Sequence, residues 1–305
     1  MGIKPKILVL GNRGFLGATI FEHLKNQNDL EVLGLNSSTL DLTSPDSYHQ
    51  IGKVVDKDTV IIFAIRASKR QDSLKAFEQD IAITGNVVRF LEKYPIKKLL
   101  YFSSISVYGE AVTDLCITEE TKIAPLSHYG IAKVTAEALL RAATQEKGTP
   151  FIVLRPCMIY GPGNQQPPYG PDRLIHSLVQ KGRVELFGDG SELRDFLFVK
   201  DLAQITEKFI VKDVSGIYNL GTGKNYSLMN IVEGLRALTQ KEFPVIKLKR
   251  VKPKINQRLD ISKLMKIIPD YSFTSLEKGL KQSYDSFQNI NAQKNMGTVS
   301  SEISL

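Results

Sequence analysis

The amino-acid sequence predicts an α/β fold with a doubly wound parallel sheet, and three observations carry that prediction. Strand-length apolar runs alternate with segments of helical periodicity from Lys6 to Leu220, the pattern that builds a parallel sheet covered on both faces. The first run, Ile7-Leu-Val-Leu10, leads directly into a glycine-rich turn, Gly11-Asn-Arg-Gly14-Phe-Leu-Gly17, and then a helical pattern. A chain of 305 residues, 42% of them hydrophobic, can hold one large domain or two modest ones.

Taken in order, Lys6 to Leu10 reads as a buried strand, and Leu16, Ile20, Phe21 and Leu24 recur at helical spacing after the turn. Glu31 to Leu35 gives a second strand, after which Ser44 and Pro45 predict an N-cap and a first helical residue. Val60 to Ala64 is a third strand, and Asp72 to Tyr94 a long helix closed by Pro95. Leu99 to Phe102 is a fourth strand with Ser103 and Ser104 at its carboxyl end; a helix over 128–147 and a strand from Phe151 to Leu154 follow. The ligand crevice of such a sheet lies at the carboxyl ends of its strands. The 128–147 helix is apolar around much of its girth, through Ala132, Val134, Ala136, Ala138, Leu139, Leu140, Ala142 and Ala143. One face packs on the sheet. The other either meets a second copy of the chain, giving the homodimer we expect, or closes an intramolecular core.

From Tyr160 the pattern loosens into a Pro- and Gly-rich loop through Pro171, a helix to about Gln180, and a turn at Gly188-Asp-Gly-Ser191. Asp195 to Val199 and Gly216 to Leu220 still read as strands, with a helix over 201–211 between them, and further helices fall near 228–239 and 275–288. The division expected is 1–160 for a dinucleotide-binding domain, completed by about 195–220, and 161–288 mainly for a substrate-binding lobe. The polar stretch 289–305 reads as a disordered tail.

The net charge of +8 and pI near 9.2 suit an anionic ligand, yet the basic residues are dispersed, so nucleic-acid binding is not expected. Cys116 and Cys157 are the two cysteines, and neither sits in a metal-ligand spacing, so no metal is expected. A reducing, cytoplasmic setting fits them. No apolar run is long enough to span a bilayer and the first residues lead into a strand, so neither a membrane partner nor a signal sequence is expected.

Two stretches carry chemistry. The glycines at 11, 14 and 17 permit a tight turn, close approach of backbone to a pyrophosphate, and close packing of helix on strand, the needs of a dinucleotide phosphate site. Tyr129 and Lys133, four apart, share one helix face, so the ammonium is expected beside the phenol, favouring phenolate and a proton exchangeable near neutral pH. Ser104 adds a hydroxyl for the substrate oxygen that gains or loses that proton.

From about Ile3 to Phe287 the chain resembles the extended short-chain dehydrogenases/reductases, specifically the NAD-dependent epimerase/dehydratase family of nucleotide-sugar enzymes. The motifs that carry the resemblance are Gly11-x-x-Gly14-x-x-Gly17, Phe102-Ser-Ser-x-x-Val-Tyr-Gly109, Tyr129-x-x-x-Lys133, Leu154-Arg-Pro156 with Tyr160-Gly-Pro162, Gly188-Asp-Gly-Ser191 with Arg194-Asp-Phe196, Tyr218-Asn-Leu-Gly-Thr-Gly223, and Leu259-Asp-x-Ser-Lys263. The resemblance implies a Rossmann fold and catalysis by Ser104, Tyr129 and Lys133, with Tyr129 and Lys133 also at the cofactor. It implies cofactor contacts from Gly11, Arg13, Gly14, Phe15, Leu16, Gly17, Asn36, Asp41 and Ala64, and substrate contacts from Ser104, Ser106, Arg194 and Arg258. Arg194 would pair with the diphosphate of a nucleotide sugar, as a guanidinium matches phosphate oxygens.

Departures narrow the expectation. Ile105 and Ser106 stand where dehydratases of the family carry an acidic pair, and Ser106 stands where fucose-synthase-like members carry a cysteine; both chemistries are disfavoured. Met158 replaces a usual asparagine, and Ala64-Ile-Arg66 replaces a usual alanine pair. At the end of the second strand Asn36-Ser-Ser38 lacks the acid that would repel a 2′-phosphate, and Arg13 can face one, so NADP is expected, with NAD possible. The activity expected is hydride transfer at C4 of a nucleotide-linked sugar: reduction of a 4-keto-6-deoxy sugar first, 4-epimerisation second. A regulator that binds NADP(H) without turnover is the reading from another class.

Overall fold

Apolar runs bounded by glycine, proline and polar turns give strands, and the segments between them give helices. In the computed structural model, residues 4–66, 72–109, 116–164, 167, 169–250 and 254–302 are described, with side chains through Gln293. The first half runs β1 (Lys6–Leu10), α1 (Phe15–Lys25), β2 (Glu31–Leu35), α2 (Ser47–Gly52), β3 (Thr59–Phe63), α3 (Leu74–Lys93), β4 (Lys98–Phe102), α4 (His128–Glu146) and β5 (Phe151–Pro156). The second half runs β6 (Met158–Tyr160), α5 (Gly170–Lys181), β7 (Val184–Phe187), β8 (Leu193–Arg194), β9 (Phe196–Phe198), α6 (Val199–Val211), β10 (Gly216–Leu220), β11 (Tyr226–Ser227), α7 (Leu228–Thr239), β12 (Val245–Leu248), α8 (Ser262–Ile267) and α9 (Leu276–Glu302). Serines start α3 and α4: Ser73 accepts from the Ala76 N–H, and Ser127 from the Gly130 N–H at 3.0 Å. Pro95 ends α3, holding Tyr94 extended.

Six strands form one parallel sheet in the order β10-β5-β4-β3-β1-β2, the doubly wound arrangement that the alternating pattern predicts. Alternation along β1 sends Ile7 and Val9 to one face, where they meet Ile20 and Leu24 of α1 and Leu202 and Phe209 of α6. Leu8 and Leu10 go to the other face, against Val87 and Phe90 of α3 and Leu140 of α4. All five residues of β3 are buried, as a strand covered on both sides requires.

A third apolar cluster joins Tyr160, Leu174, Ile175, Phe196, Ile231 and Leu280 beyond the sheet. The two-strand pairs β7 with β12, β8 with β11, and β6 with β9 accompany it. Asp195 ties this region back to the sheet: its carboxylate accepts from the Thr222 N–H at 2.9 Å and the Gly223 N–H at 2.8 Å, just after β10. Two motifs far apart in sequence are therefore one contact.

Two expectations are corrected. Helix α2 begins at Ser47 with Asp46 as N-cap, not at Ser44 and Pro45, which form a preceding turn in which the Ser47 N–H donates to the Ser44 carbonyl at 3.1 Å. The 289–305 stretch is helical as far as Glu302 rather than without structure. No proline interrupts it, and Asn291 accepts from Gln180 of α5 at 2.9 Å, so the helix stays anchored past Gln288.

Candidate active site

The turn after β1 is built around backbone proximity. Gly11 has φ +96°, and a Cβ there would lie 2.8 Å from the Ala64 carbonyl oxygen; a Cβ on Gly17 would lie 2.2 Å from the Gly11 carbonyl oxygen. No side chain caps α1 at Gly14, so its first N–H groups stay available to an anion. From this turn a cavity of about 530 Å³ runs across the carboxyl ends of β1, β3, β4 and β5 to Tyr129 and Lys133. Its size falls in the range of small-molecule and cofactor sites. Among the described residues, Arg13, Arg66 and Lys133 are its charged lining residues, and no Asp or Glu lines it.

Ser104, Tyr129 and Lys133 all line this cavity, as do Arg13, Gly14, Phe15, Leu16 and Ala64. Ser104, buried at the end of β4, caps the short turn Ile105–Tyr108, accepting from the Ser106 N–H at 3.1 Å. Its hydroxyl also bonds Tyr129 and reaches Ser106 Oγ at 3.1 Å, which places Ser106 behind Ser104 rather than on the cavity wall. The Tyr129 backbone N–H donates to Asp72 at 2.9 Å, which steadies the start of α4.

The electrostatics differ from the expectation. Burial pushes the Tyr129 phenol up to about 12, and neighbouring Tyr169 adds to the rise. The opposing influences are the Arg66 guanidinium and the hydrogen bond with Ser104. Lys133 shares a helix face with Tyr129, as four-residue spacing dictates, but its ammonium donates to the Phe102 carbonyl at 2.8 Å and the Ile65 carbonyl at 3.3 Å. A buried ammonium must satisfy its donors, and these strand-end carbonyls are the acceptors within reach. Its Nζ lies 5.7 Å from the Tyr129 ring centre, whereas the Arg66 guanidinium carbon lies at 4.2 Å. Burial also draws Lys133 down to about 8, against the pull of the Asp80 carboxylate.

At the far end, Arg13 donates to Ser38 Oγ at 2.8 Å, Ser38 donates to Asn36 Oδ1 at 2.6 Å, and Asn36 donates to Asn12 Oδ1 at 2.9 Å. Asn36 thus braces the mouth from outside the cavity lining. Asp41 turns back on its own loop, accepting from Thr43, which holds its carboxyl below the usual range. Arg194 is engaged with the carbonyl of Ile255 and, at 3.3 Å, with Glu192, which also pairs with Arg250 at 2.9 Å. Arg258 is exposed, and neither arginine lines the cavity.

Sequence reasoning missed Arg66, Cys157, Asn164 and Tyr169 as cavity residues. Arg66 was visible only as a departure from the alanine pair. It also missed the support behind the serines: Glu137 of α4 accepts from Ser103 and binds Arg155 of β5 through two bonds of 3.0 and 2.6 Å. Arg155 donates to the Tyr108 hydroxyl at 2.9 Å, and Tyr108 donates to Asn219 at 2.7 Å. Spacing from Lys133 to Glu137 was the available signal. Among the described residues no helix is long and apolar enough to cross a membrane, and no group of three or more His, Cys, Asp or Glu is placed to hold a metal.

A doubly wound sheet with a glycine turn, an uncapped helix start and a Ser-Tyr-Lys set in one cavity defines a nicotinamide-dinucleotide-dependent enzyme of the short-chain dehydrogenase type. Residues 7–221 match the NAD dependent epimerase/dehydratase family, and the chain belongs to it. It is 30% identical to UDP-glucose 4-epimerase of Bacillus subtilis, over 78% of this chain and 83% of that protein. It is 27% identical to GDP-6-deoxy-D-talose 4-dehydrogenase of Aggregatibacter actinomycetemcomitans, over 92% of this chain and 97% of that one. Among solved structures, UDP-glucose 4-epimerase of Thermotoga maritima with UDP-glucose superposes with a TM-score of 0.82 at 23% identity, covering 94% and 99% of the two chains.

Proposed function

We propose that the protein is an NADP(H)-dependent oxidoreductase acting at C4 of a nucleotide-linked sugar, reducing a 4-keto-6-deoxy sugar. The observation that carries this reading is the Ser104–Tyr129 hydroxyl pair set in the same cavity as the glycine turn. A bound nicotinamide supplies or takes the hydride at C4. Tyr129 gives the sugar oxygen its proton in reduction and removes it in oxidation, and Ser104 hydrogen-bonds that oxygen. Lys133, fixed by two carbonyls, holds the cofactor ribose and positions Tyr129. The Gly14 end of α1 receives the pyrophosphate, and Arg13, with no acid opposite it, receives a 2′-phosphate. Residues 1–160, completed by 195–220, serve the cofactor, and 161–288 the nucleotide sugar. Exposed Leu74, Ile131 and Leu139 on α3 and α4 support a homodimer.

The relative from Aggregatibacter, matched over nearly its whole length, supports a C4 dehydrogenase or reductase. The 30% identity to a UDP-glucose 4-epimerase supports a second reading, an epimerase that retains NAD through both half-reactions. Purified protein should be mixed with NADPH and 4-keto-6-deoxy sugars linked to GDP, dTDP or UDP, and absorbance followed at the reduced nicotinamide band. Consumption of NADPH that is lost in Tyr129→Phe supports the reductase. Co-purified NAD and isomerisation of a UDP-sugar without net cofactor change would replace it with the epimerase. Binding of NADPH with no turnover on either panel would leave a regulator.

A further inference from the structure

We propose that Arg66 is a positioning residue for Tyr129: stacked on the phenol ring, its guanidinium supplies the positive charge that steadies the deprotonated oxygen. The inference rests on the reading of Tyr129 as the proton-transfer group and assigns the supporting charge within it. Arg66 follows β3, one residue after Ile65, whose carbonyl accepts from Lys133, so the two cations approach the tyrosine from different elements. The arginine comes to 4.2 Å of the ring centre, and the lysine stays at 5.7 Å with two of its three donors engaged by Phe102 and Ile65. A guanidinium is planar and weakly hydrated, so it can lie flat on a partly buried ring at a desolvation cost an ammonium meets less easily.

The other charges around the phenol favour its protonated form or leave it unhelped. Tyr169, before α5, and Asp80, on α3, both disfavour a second negative charge there. Asp72 faces the backbone N–H of Tyr129 and lies 3.8 Å from His128. When the sugar oxygen takes the proton, the tyrosine O–H bond breaks and a phenolate is left until solvent reprotonates it. Arg66 is the cation stacked on the ring when that charge appears. The same guanidinium lowers the affinity of Lys133 for its own proton, so its removal should move both groups in the same sense, toward their protonated forms: Tyr129 to a less acidic phenol, Lys133 to a more persistent ammonium.

The test reads the phenol directly, with neither cofactor nor substrate. A fluorinated tyrosine placed at position 129 makes the ring acidic enough to titrate while the protein is folded, and its fluorine signal follows ionisation. Arg66→Gln should raise its midpoint by about one pH unit or more, the scale of a charge at this distance in a partly screened site. Arg66→Lys should recover part of the shift. Arg66→Met provides a second neutral variant if the glutamine form does not fold, as judged by its melting curve. An unchanged midpoint in both neutral variants would overturn the proposal while leaving Tyr129 itself intact. The role of Tyr129 is tested separately: turnover that survives Tyr129→Phe would remove the underlying reading whatever Arg66 does.

Discussion

Replacing Glu137 by glutamine tests the support behind the candidate site most directly. The Glu137 and Arg155 side chains are 5% and 1% exposed, and two hydrogen bonds of 3.0 and 2.6 Å join them. Glutamine keeps the shape and one acceptor oxygen, so Ser103 can retain its bond, but Arg155 keeps a full charge with no counter-ion in a dry position. Breaking such a buried pair costs about 3–5 kcal/mol. At roughly 2.1 cal/mol/K of unfolding entropy per residue, a chain of 305 residues should lose about 5–8 °C in Tm. Calorimetry of the wild type and Glu137→Gln measures this, and Glu137→Met with Arg155→Met should regain most of the loss, because a matched apolar pair leaves no charge stranded. A glutamine variant melting within about 1 °C of wild type would show that the pair is not the compensated buried unit described.

Three further outcomes are expected. Gly17→Ala drives a methyl against the Gly11 carbonyl, so α1 must shift; NADP(H) affinity by calorimetric titration should fall at least tenfold, and undiminished binding would refute the cradle. Arg13→Ala should weaken NADPH about tenfold or more, the worth of a charge-assisted phosphate contact, with little effect on NADH; equal losses would mean that Arg13 does not read the 2′-phosphate. Asp172, 1% exposed, has its carboxyl pushed up to about 7 by burial. The folded chain therefore keeps a proton that the unfolded chain releases near pH 4, and stability falls as pH rises through this window. The fall amounts to a few kcal/mol, complete just above pH 7, and urea unfolding at pH 5 and pH 8 should show it reduced in Asp172→Asn.

The βα order, the parallel sheet and the glycine turn were legible because runs such as Val60–Phe63 are too apolar for any place but a sheet covered on both faces, and because glycines at 11 and 17 have a backbone reason to exist. The small lobe was less legible. Leu193–Arg194 and Tyr226–Ser227 are two-residue strands, too short to show alternation, and β7 and β12 pair across almost sixty residues. Grouping of Ser104, Tyr129 and Lys133 followed from spacing and order. The direction of the Lys133 ammonium did not, since it depends on carbonyls of two strand ends that only the folded backbone brings near. Arg66 stacking and the Glu137–Arg155–Tyr108–Asn219 chain arise in the same way, from residues on separate elements.

That chain has a bearing on how the protein is made. Asn219 lies on β10, which pairs with β5 although some sixty residues separate them in sequence. During synthesis the hydrogen-bonding rim of β5 therefore emerges bare, and Arg155 waits without the last partners of its network, until the ribosome has released Leu220. A nascent chain stalled before that point would present an apolar, unpaired strand to its neighbours, so chaperone dependence should be concentrated in this interval of translation.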